Sequence, residues 1–404
     1  MIESVFDKLS AATAEYDSEA IKQIYFENFD VVNEVISNGG PEYLNTCVDF
    51  LMSIRSFKRA SFLWRIIYNR SKYNMKQHRF VKMIRCLYYS GDKILARDII
   101  KHKIQSLECS EKDKAILFSV MAESGDESYL DLLGDGLKPP SLGDKFYKDR
   151  SAFLSSEYRH GHAPSKKFIF VSGTPRSGTT SLGGFLNAHK NICMTTERYG
   201  PGNGYTKAMF DRDDLFYDSA YKKKYRSIYE RYNECSFVGD KRPNFLMSWG
   251  LTKRNFRPED IFVIHLLRDP YLVAESYFKR AKKSALGQDV WSSKNISPRD
   301  QFVACWDFNI NNKILKDIFL EGGYSGSFFV VNNESLYSNE SLLLEIFEHL
   351  GLDIDGNLRV EARRLVEKSK QLSVRREISN STIDFVDKYL DFNLFSEVKK
   401  FCHY

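Results

Sequence analysis

A loop rich in glycine and hydroxyl side chains is the part of this sequence best equipped for chemistry. The loop consists of Gly173, Thr174, Pro175, Arg176, Ser177, Gly178, Thr179 and Thr180. An apolar run at 168–171 predicts a buried strand before it, and apolar residues at helical spacing up to Leu186 predict a helix after it. Backbone N–H groups at such a helix start, together with the helix dipole, favour the binding of a phosphate or sulfate group.

The spacing of the two loop glycines, Gly173 and Gly178, matches that of the ATP-binding P-loop, but the next residue does not. A P-loop requires lysine there for the outer phosphates, whereas this sequence has Thr179 and places its cation earlier, at Arg176. A P-loop kinase is therefore a remote alternative, as is an inactive nucleotide-binding scaffold. The run Thr-Pro-Arg-Ser-Gly-Thr-Thr instead resembles the 5′-phosphosulfate loop of sulfotransferases that use 3′-phosphoadenosine 5′-phosphosulfate (PAPS).

A second motif follows a predicted strand about ninety residues further along the chain. In the run Leu-Leu-Arg-Asp-Pro-Tyr-Leu-Val-Ala-Glu-Ser-Tyr, Arg268 ends the strand and Ser276 lies eight residues later, within a predicted helix. The run resembles the second sulfotransferase signature, which implies that Arg268 and Ser276 bind the 3′-phosphate of PAPS. A planar guanidinium suits that task because it forms charge-assisted, bidentate hydrogen bonds to phosphate.

The candidate general base is Glu197, which follows the second predicted strand and lies 21 residues after Arg176. This placement is similar to that of the catalytic glutamate in tyrosyl-protein sulfotransferases. Sulfuryl transfer needs a base because the acceptor hydroxyl loses its proton as it attacks sulfur. His189 is the alternative base, although its position at a predicted helix end also suits a structural role.

The third predicted strand ends in Gly-Asp-Lys-Arg-Pro, which contains the candidate catalytic cation Lys241. The segment resembles the Gly-Asp-Lys-x-Pro run of the same family, and the resemblance implies that Lys241 stabilises the transferring group and the bridging oxygen. Cations aimed at developing leaving-group charge act similarly in phosphoryl transfer. Arg242 is the alternative to Lys241, and Arg176 adds positive charge from the loop. No metal ion is expected, because the resemblance implies that arginine and lysine supply this charge.

An α/β fold is predicted to hold these residues. Apolar runs at 168–172, 192–195, 237–240, 261–267 and 327–331 predict strands, and helical patterns lie between them. The alternation predicts a mainly parallel sheet flanked by helices, and the resemblance implies the P-loop NTPase-like sulfotransferase fold. Ligands of such sheets bind at the carboxyl ends of the strands. The end of the fifth run departs from the family pattern, because Asn333 stands where a tyrosine often contacts the nucleotide.

Three regions are predicted along the chain. Residues 1–135 show helical spacing, and Ser56, Ser90 and Ser124 recur every 34 residues, the period of tetratricopeptide (TPR)-like helix pairs. This all-helical region is expected to be a cap that buries an apolar face of the catalytic domain or forms a dimer, and the alternative is a platform for a partner protein or an acceptor carrier. Glycine and proline are dense across 136–165, which predicts a linker, and 166–404 is predicted to be the sulfotransferase domain.

Bulk composition limits the class of function. A net charge of +6 over 404 residues is too weak to indicate nucleic-acid binding. The seven cysteines are scattered and odd in number, which indicates neither a disulfide framework nor a zinc site. No apolar run has the length of a signal-peptide core or a transmembrane segment, so a cytoplasmic enzyme is expected.

The predicted reaction moves a sulfuryl group from PAPS to an acceptor hydroxyl and releases 3′-phosphoadenosine 5′-phosphate (PAP). The segment 199–232 is dense in tyrosine and in charge, and it includes Tyr217, Tyr221 and Tyr225. Aromatic faces suit sugar rings or phenols, and a carbohydrate or glycolipid acceptor is expected because the helical N-terminal region suits a large acceptor. Peptide tyrosine is the alternative, since the lysine run at 222–224 suits an acidic peptide.

Overall fold

The structure is a computed structural model that describes residues 57–70, 77–103, 166–198, 204–216, 219–285, 301–373 and 377–403, with scattered positions at 8, 44, 45, 48, 49, 51, 52, 75, 117, 120 and 121. Contacts divide the chain into two compact units. The first contains Met1–Met121, Ala274–Trp306 and Asn380–Tyr389, and the second contains Ala122–Val273, Asp307–Ser379 and Leu390–Tyr404.

The secondary structure of the described residues alternates between strands and helices after residue 166. The strands are β1 (Lys167–Gly173), β2 (Ile192–Thr196), β3 (Phe237–Lys241), β4 (Ile261–Leu267) and β5 (Phe328–Asn332). The α-helices are α1 (Phe57–Arg70), α2 (Gln77–Ser90), α3 (Lys93–Lys103), α4 (Thr179–Leu186), α5 (Arg212–Leu215), α6 (Ser219–Lys224), α7 (Arg226–Arg231), α8 (Trp249–Thr252), α9 (Pro270–Ala285), α10 (Gln301–Glu321), α11 (Asn333–Leu336), α12 (Glu340–His349), α13 (Gly356–Ser373), α14 (Asn380–Tyr389) and α15 (Phe392–Lys399). Short 3₁₀ turns lie at Ala208–Phe210, Tyr232–Glu234, Phe245–Ser248, Pro258–Asp260 and Ser325–Ser327.

The second unit is built on a five-stranded sheet of order β2-β3-β1-β4-β5, in which every pair is parallel. The predicted α/β fold is therefore confirmed, and each predicted strand matches an observed one to within one residue at either end. The strands read as apolar runs because both faces of the sheet are covered: every residue of β1 after Lys167 is buried.

Two apolar layers cover the sheet of the second unit. On one face, α4 packs with α12 and α13 through buried residues that include Phe185, Phe347 and Leu358. An aromatic cluster forms around Phe170, whose ring stacks on Tyr205 at 4.9 Å and on Phe245 at 4.9 Å. Buried aromatic rings of this size contribute about 1.5–3 kcal/mol each, so the two layers hold the sheet rigid beneath its loops.

Strand register brings the predicted site to one edge of the sheet. Lys241 pairs with Val171 of β1 and with Thr196 of β2. Gly173 pairs with Leu266 of β4. The carboxyl ends of β1 to β4 therefore lie side by side, and the residues that follow them occupy one edge.

The first unit combines N-terminal helices with residues from the later half of the chain. The Phe302 ring contacts Phe62 of α1 at 5.4 Å and Tyr389 of α14 at 5.6 Å. The sequence did not indicate this grouping of 274–306 and 380–389 with the N-terminal helices. The predicted linker at 136–165, like the repeat positions Ser56 and Ser124, lies outside the described residues, so the predicted boundaries and the TPR-like repeat remain predictions.

Candidate active site

The loop that follows β1 adopts backbone conformations suited to glycine at both ends. Gly173 has φ 150° and Gly178, the N-cap of α4, has φ 89°. A Cβ atom at Gly173 would lie 2.8 Å from Leu266 O and would clash with Ser177 Oγ. Between the glycines, Arg176 also has a positive φ, 77°, which costs about 1–2 kcal/mol for a residue with a side chain. The loop is thus held tightly, with its turn closed by a 3.0 Å hydrogen bond from Ser177 N to Thr174 O.

The side chains of the predicted phosphate loop divide into covered and exposed ones. Ser177 and Thr179 are buried, and Ser177 Oγ has no hydrogen-bond partner among the described residues. Arg176 and Thr180 are exposed. The first intrahelical hydrogen bonds of α4 are accepted by Gly178 O, so the N–H groups of Gly178 to Thr180 precede the helical ladder. The structure therefore offers an exposed guanidinium, an exposed hydroxyl and a helix start at this edge.

The carboxamide of Asn333 supports the loop from the end of β5. Asn333 is buried and donates a 2.7 Å hydrogen bond to Ser177 O. Tyr337 OH donates to Gly178 O at 2.9 Å, and burial raises the pKa of this tyrosine. Sequence reasoning treated Asn333 only as a missing nucleotide contact and overlooked Tyr337. Their position just after a parallel strand was the one available signal, because such ends meet at the ligand edge.

Arg268 at the end of β4 lies against the same loop. Its guanidinium donates to Arg176 O and forms a 3.6 Å ion pair with Glu334. The structure thus brings Arg268 and the phosphate loop together, as one shared nucleotide requires. Ser276 is half-buried on α9 and belongs to the first unit, so its predicted role beside Arg268 stays a prediction.

Glu197 and Lys241 form an ion pair at the neighbouring strand ends. Lys241 Nζ lies 2.5 Å from Glu197 Oε1, with the lysine side chain 2% exposed and the glutamate side chain 55% exposed. Glu197 has φ 51°, and its N–H donates to Lys241 O at 2.9 Å. The buried ammonium group of Lys241, the candidate cation, is thus hydrogen-bonded to the accessible carboxylate of Glu197, the candidate base.

The alternatives named for base and cation are engaged elsewhere. His189 is buried: its Nδ1 accepts from Asn191 N at 3.1 Å, which leaves Nε2 to donate to Asp353 O at 3.1 Å. The Arg242 guanidinium lies 4.3 Å from the centre of the Tyr205 ring and donates to Ser248 Oγ. The geometry therefore favours Glu197 and Lys241 as the reactive pair.

Aromatic and basic side chains follow Glu197 in the second unit. Arg198 lies 4.2 Å from the centre of the Tyr221 ring, and burial raises the pKa of Tyr221. The Tyr221 and Tyr225 rings are in tilted contact, with their centres 4.5 Å apart, and the lysines of α6 are exposed. Residues 199–203, 217 and 218 of the predicted acceptor region lie outside the described residues.

No group of three or more histidine, cysteine, aspartate or glutamate side chains placed to hold a metal ion occurs in the described parts of the chain. Among the helices that the structure describes, none has the length and apolar character needed to cross a membrane.

Comparison with known proteins identifies a domain within residues 169–356. A model of the sulfotransferase family matches residues 169–356, whereas no curated protein sequence matches the chain. Similar solved structures include the sulfotransferase domain from the curacin biosynthetic pathway, at 18% identity over 55% of this chain and 97% of that chain, with a TM-score of 0.33. The sulfotransferase domain of the Synechococcus PCC 7002 olefin synthase has 18% identity over 57% of this chain and 98% of that one, with a TM-score of 0.33. Sulfotransferase STF9 from Mycobacterium avium has 12% identity over 74% and 95%, with a TM-score of 0.34.

At these TM-scores the family match, rather than the structural likeness, decides the assignment. The matched residues take in the phosphate loop, Glu197, Lys241, Arg268 and Asn333. Residues 169–356 therefore form a domain of the sulfotransferase family, and this domain makes the protein an enzyme.

Proposed function

We propose that this enzyme transfers a sulfuryl group from PAPS to a hydroxyl group of a carbohydrate or glycolipid, with Glu197 as general base. The observation that carries the proposal is the 2.5 Å contact between Glu197 Oε1 and Lys241 Nζ at the edge of the sheet where the phosphate loop ends. A base and a buried cation at this edge are the two groups that in-line attack by a hydroxyl requires.

The residues of the loop fit a phosphosulfate. The glycine turn admits close approach of an anion, and the N–H groups at the start of α4 point their partial charge toward it. Arg268 lies against Arg176 O, where its charge would meet the 3′-phosphate. When bound, PAPS would supply the activated sulfuryl group. The family resemblance, together with this fit, supports PAPS as the donor, and the proposal includes no metal ion.

Two side chains would act on the reacting groups: one would accept a proton and the other would stabilise negative charge. Glu197, which is 55% exposed, accepts the proton of the acceptor hydroxyl at its carboxylate. Lys241 places its ammonium group beside the reacting oxygens. Because it is buried, water screens that charge weakly, and its electrostatic effect is larger than that of a surface lysine.

The acceptor would lie against the aromatic side chains after β2. Tyr221 and Tyr225 offer two aromatic rings in tilted contact, and Arg198 next to the base carries positive charge. Aromatic faces of this kind suit sugar rings. The exposed lysines of α6 favour a second candidate, a peptide tyrosine flanked by acidic residues.

The test is turnover of labelled PAPS with a panel of glycan, glycolipid and tyrosine-peptide acceptors. Glu197→Gln should lower kcat by about 10²–10⁴-fold while leaving the Kd for PAP unchanged, since only the base is lost. Glu321→Gln is the matched control, because Glu321 also pairs with a lysine, Lys253, and is 58% exposed. Near-normal turnover by Glu197→Gln would show that Glu197 is not the base. Activity on tyrosine peptides alone would show that the acceptor is peptide tyrosine and not a glycan.

A further inference from the structure

Asp240 is a fully buried carboxylate one residue before Lys241, and four hydrogen bonds converge on it. Thr195 Oγ1 donates to Asp240 Oδ1 at 2.9 Å, and Tyr205 OH donates to Oδ2 at 2.5 Å. The backbone N–H of Arg198 lies between the two carboxylate oxygens, at 3.4 Å from Oδ1 and 3.2 Å from Oδ2. Burial raises the pKa of Asp240, and the nearby charge of Arg242 offsets part of that effect.

The turn that carries Glu197 is attached to β3 at both of its peptide groups. Glu197 N donates to Lys241 O, and the next N–H, that of Arg198, donates to the Asp240 carboxylate. Consecutive N–H groups bonded to consecutive residues of β3 require the chain to bend sharply between them. The left-handed conformation of Glu197, with φ 51°, is that bend.

Asp240 itself is held in place by rigid neighbours. Tyr205 is fully buried, and its ring stacks on Phe170 and, at 5.7 Å, on Phe245. Successive side chains of β3 point to opposite faces of the sheet, so Asp240 lies on the face opposite Lys241. The Asp240 carboxylate and the Lys241 ammonium group therefore contact the Glu197 turn from opposite faces of the sheet.

We propose that Asp240 is a positioning residue for the general base. It stabilises the left-handed turn through the Arg198 N–H, and this turn directs the Glu197 carboxylate to Lys241. The inference rests on the proposed role of Glu197 for its kinetic consequence, but its structural consequence is independent of that role.

The discriminating variant is Asp240→Asn, which keeps the size of the side chain. The hydroxyls of Thr195 and Tyr205 can rotate to accept a hydrogen bond from the new amide, but the Arg198 N–H can only donate. Whichever oxygen is replaced, the amide nitrogen removes one of the two acceptors of that N–H and places two donors against each other, so the substitution weakens the attachment of the Glu197 turn.

We expect Asp240→Asn to lower kcat tenfold or more while the Kd for PAP and the KM for PAPS stay within twofold. In its crystal structure, Glu197 should leave the left-handed region and its contact with Lys241 should be lost. In a Glu197→Gln background, the same substitution should change kcat by less than twofold, because the base is already absent. Equal losses of kcat in both backgrounds would overturn the inference.

Two controls separate a positioning role from general destabilisation. Asp260→Asn removes a carboxylate bonded to Arg257 and Lys207 near the opposite end of the sheet, and it should lower the Tm without changing the Glu197–Lys241 contact. Tyr205→Phe removes one partner of Asp240 but leaves the acceptor of the Arg198 N–H, so the contact should persist. Loss of the contact in Tyr205→Phe with Asp240 still in place, or its persistence in Asp240→Asn, would overturn the inference whether or not Glu197 proves to be the base.

Discussion

Gly183 of helix α4 lies directly over Lys241 of strand β3. A Cβ atom at Gly183 would lie 3.2 Å from Lys241 Cβ and 3.5 Å from Cγ. The missing side chain on the helix therefore provides the space through which the buried lysine reaches Glu197. This contact couples the phosphate loop to Lys241, the proposed catalytic cation, because α4 begins in the loop and covers the lysine with its second turn.

Gly183→Ala should displace Lys241 and lower kcat by about tenfold, because the added methyl group meets the stem of the lysine at a distance tighter than ordinary packing. Gly184→Ala is the matched control in the same helix, since no atom lies within 4 Å of its added Cβ. That control should raise stability by about 0.5–1 kcal/mol through helix propensity. Steady-state kinetics and thermal unfolding check both variants, and equal kinetics for the two would contradict the coupling.

Asn333→Asp should weaken PAP binding by tenfold or more, about 1.4 kcal/mol, because a carboxylate cannot donate to Ser177 O and would repel that carbonyl. Isothermal titration calorimetry measures the effect. Asn339→Asp is the matched control, since Asn339 caps α12 by accepting from Ser341 N and aspartate caps equally well. Unchanged PAP affinity in Asn333→Asp would show that the loop holds its shape without this support.

Arg268→Ala should weaken PAP by about 10–100-fold while affecting AMP, which lacks the 3′-phosphate, by much less. The physical reason is the guanidinium charge placed beside the loop at Arg176 O. Binding of both nucleotides is measured by calorimetry. Arg257→Ala is the control, because Arg257 pairs with Asp260 near the opposite end of the sheet. Equal losses for PAP and AMP would remove Arg268 from the 3′-phosphate site.

Local sequence patterns predicted the sheet and the order of its motifs because these depend on neighbours along the chain. A buried parallel strand reads as an apolar run, so β4 was predicted with its observed bounds, and the glycines of the phosphate loop marked their own turn. The cation at Lys241 was likewise located by a short motif at a strand end.

Features that depend on distant contacts left no local signal. Asn333 supports Ser177 across 156 positions of sequence, and Arg268 meets Arg176 across 92. The left-handed turn of Glu197 arises from two hydrogen bonds to β3 rather than from its residue type. The contact between Phe302 and Phe62 was unforeseen for the same reason, because no local sequence pattern specifies which apolar helices pack against each other.

A buried histidine in the sheet predicts a loss of stability in acid. Burial lowers the pKa of His265 from its ordinary value of 6.5 to about 3, and its Nδ1 lies 3.1 Å from Ser172 Oγ. Between pH 6.5 and about pH 3, the imidazole binds a proton in the unfolded chain but not in the folded chain. The stability that comes from keeping His265 neutral is therefore fully present above pH 6.5 and is lost as the pH falls toward 3.

Because of this one group, the free energy of unfolding should fall by up to about 1.4 kcal/mol per pH unit between those two pH values. Urea unfolding at pH 7 and pH 5 should therefore show a smaller decrease in the free energy of unfolding for His265→Asn than for the wild type. His349→Asn is the matched control, because His349 is exposed, and it should keep the wild-type decrease. A wild-type decrease in His265→Asn would mean that the buried imidazole takes up its proton without unfolding.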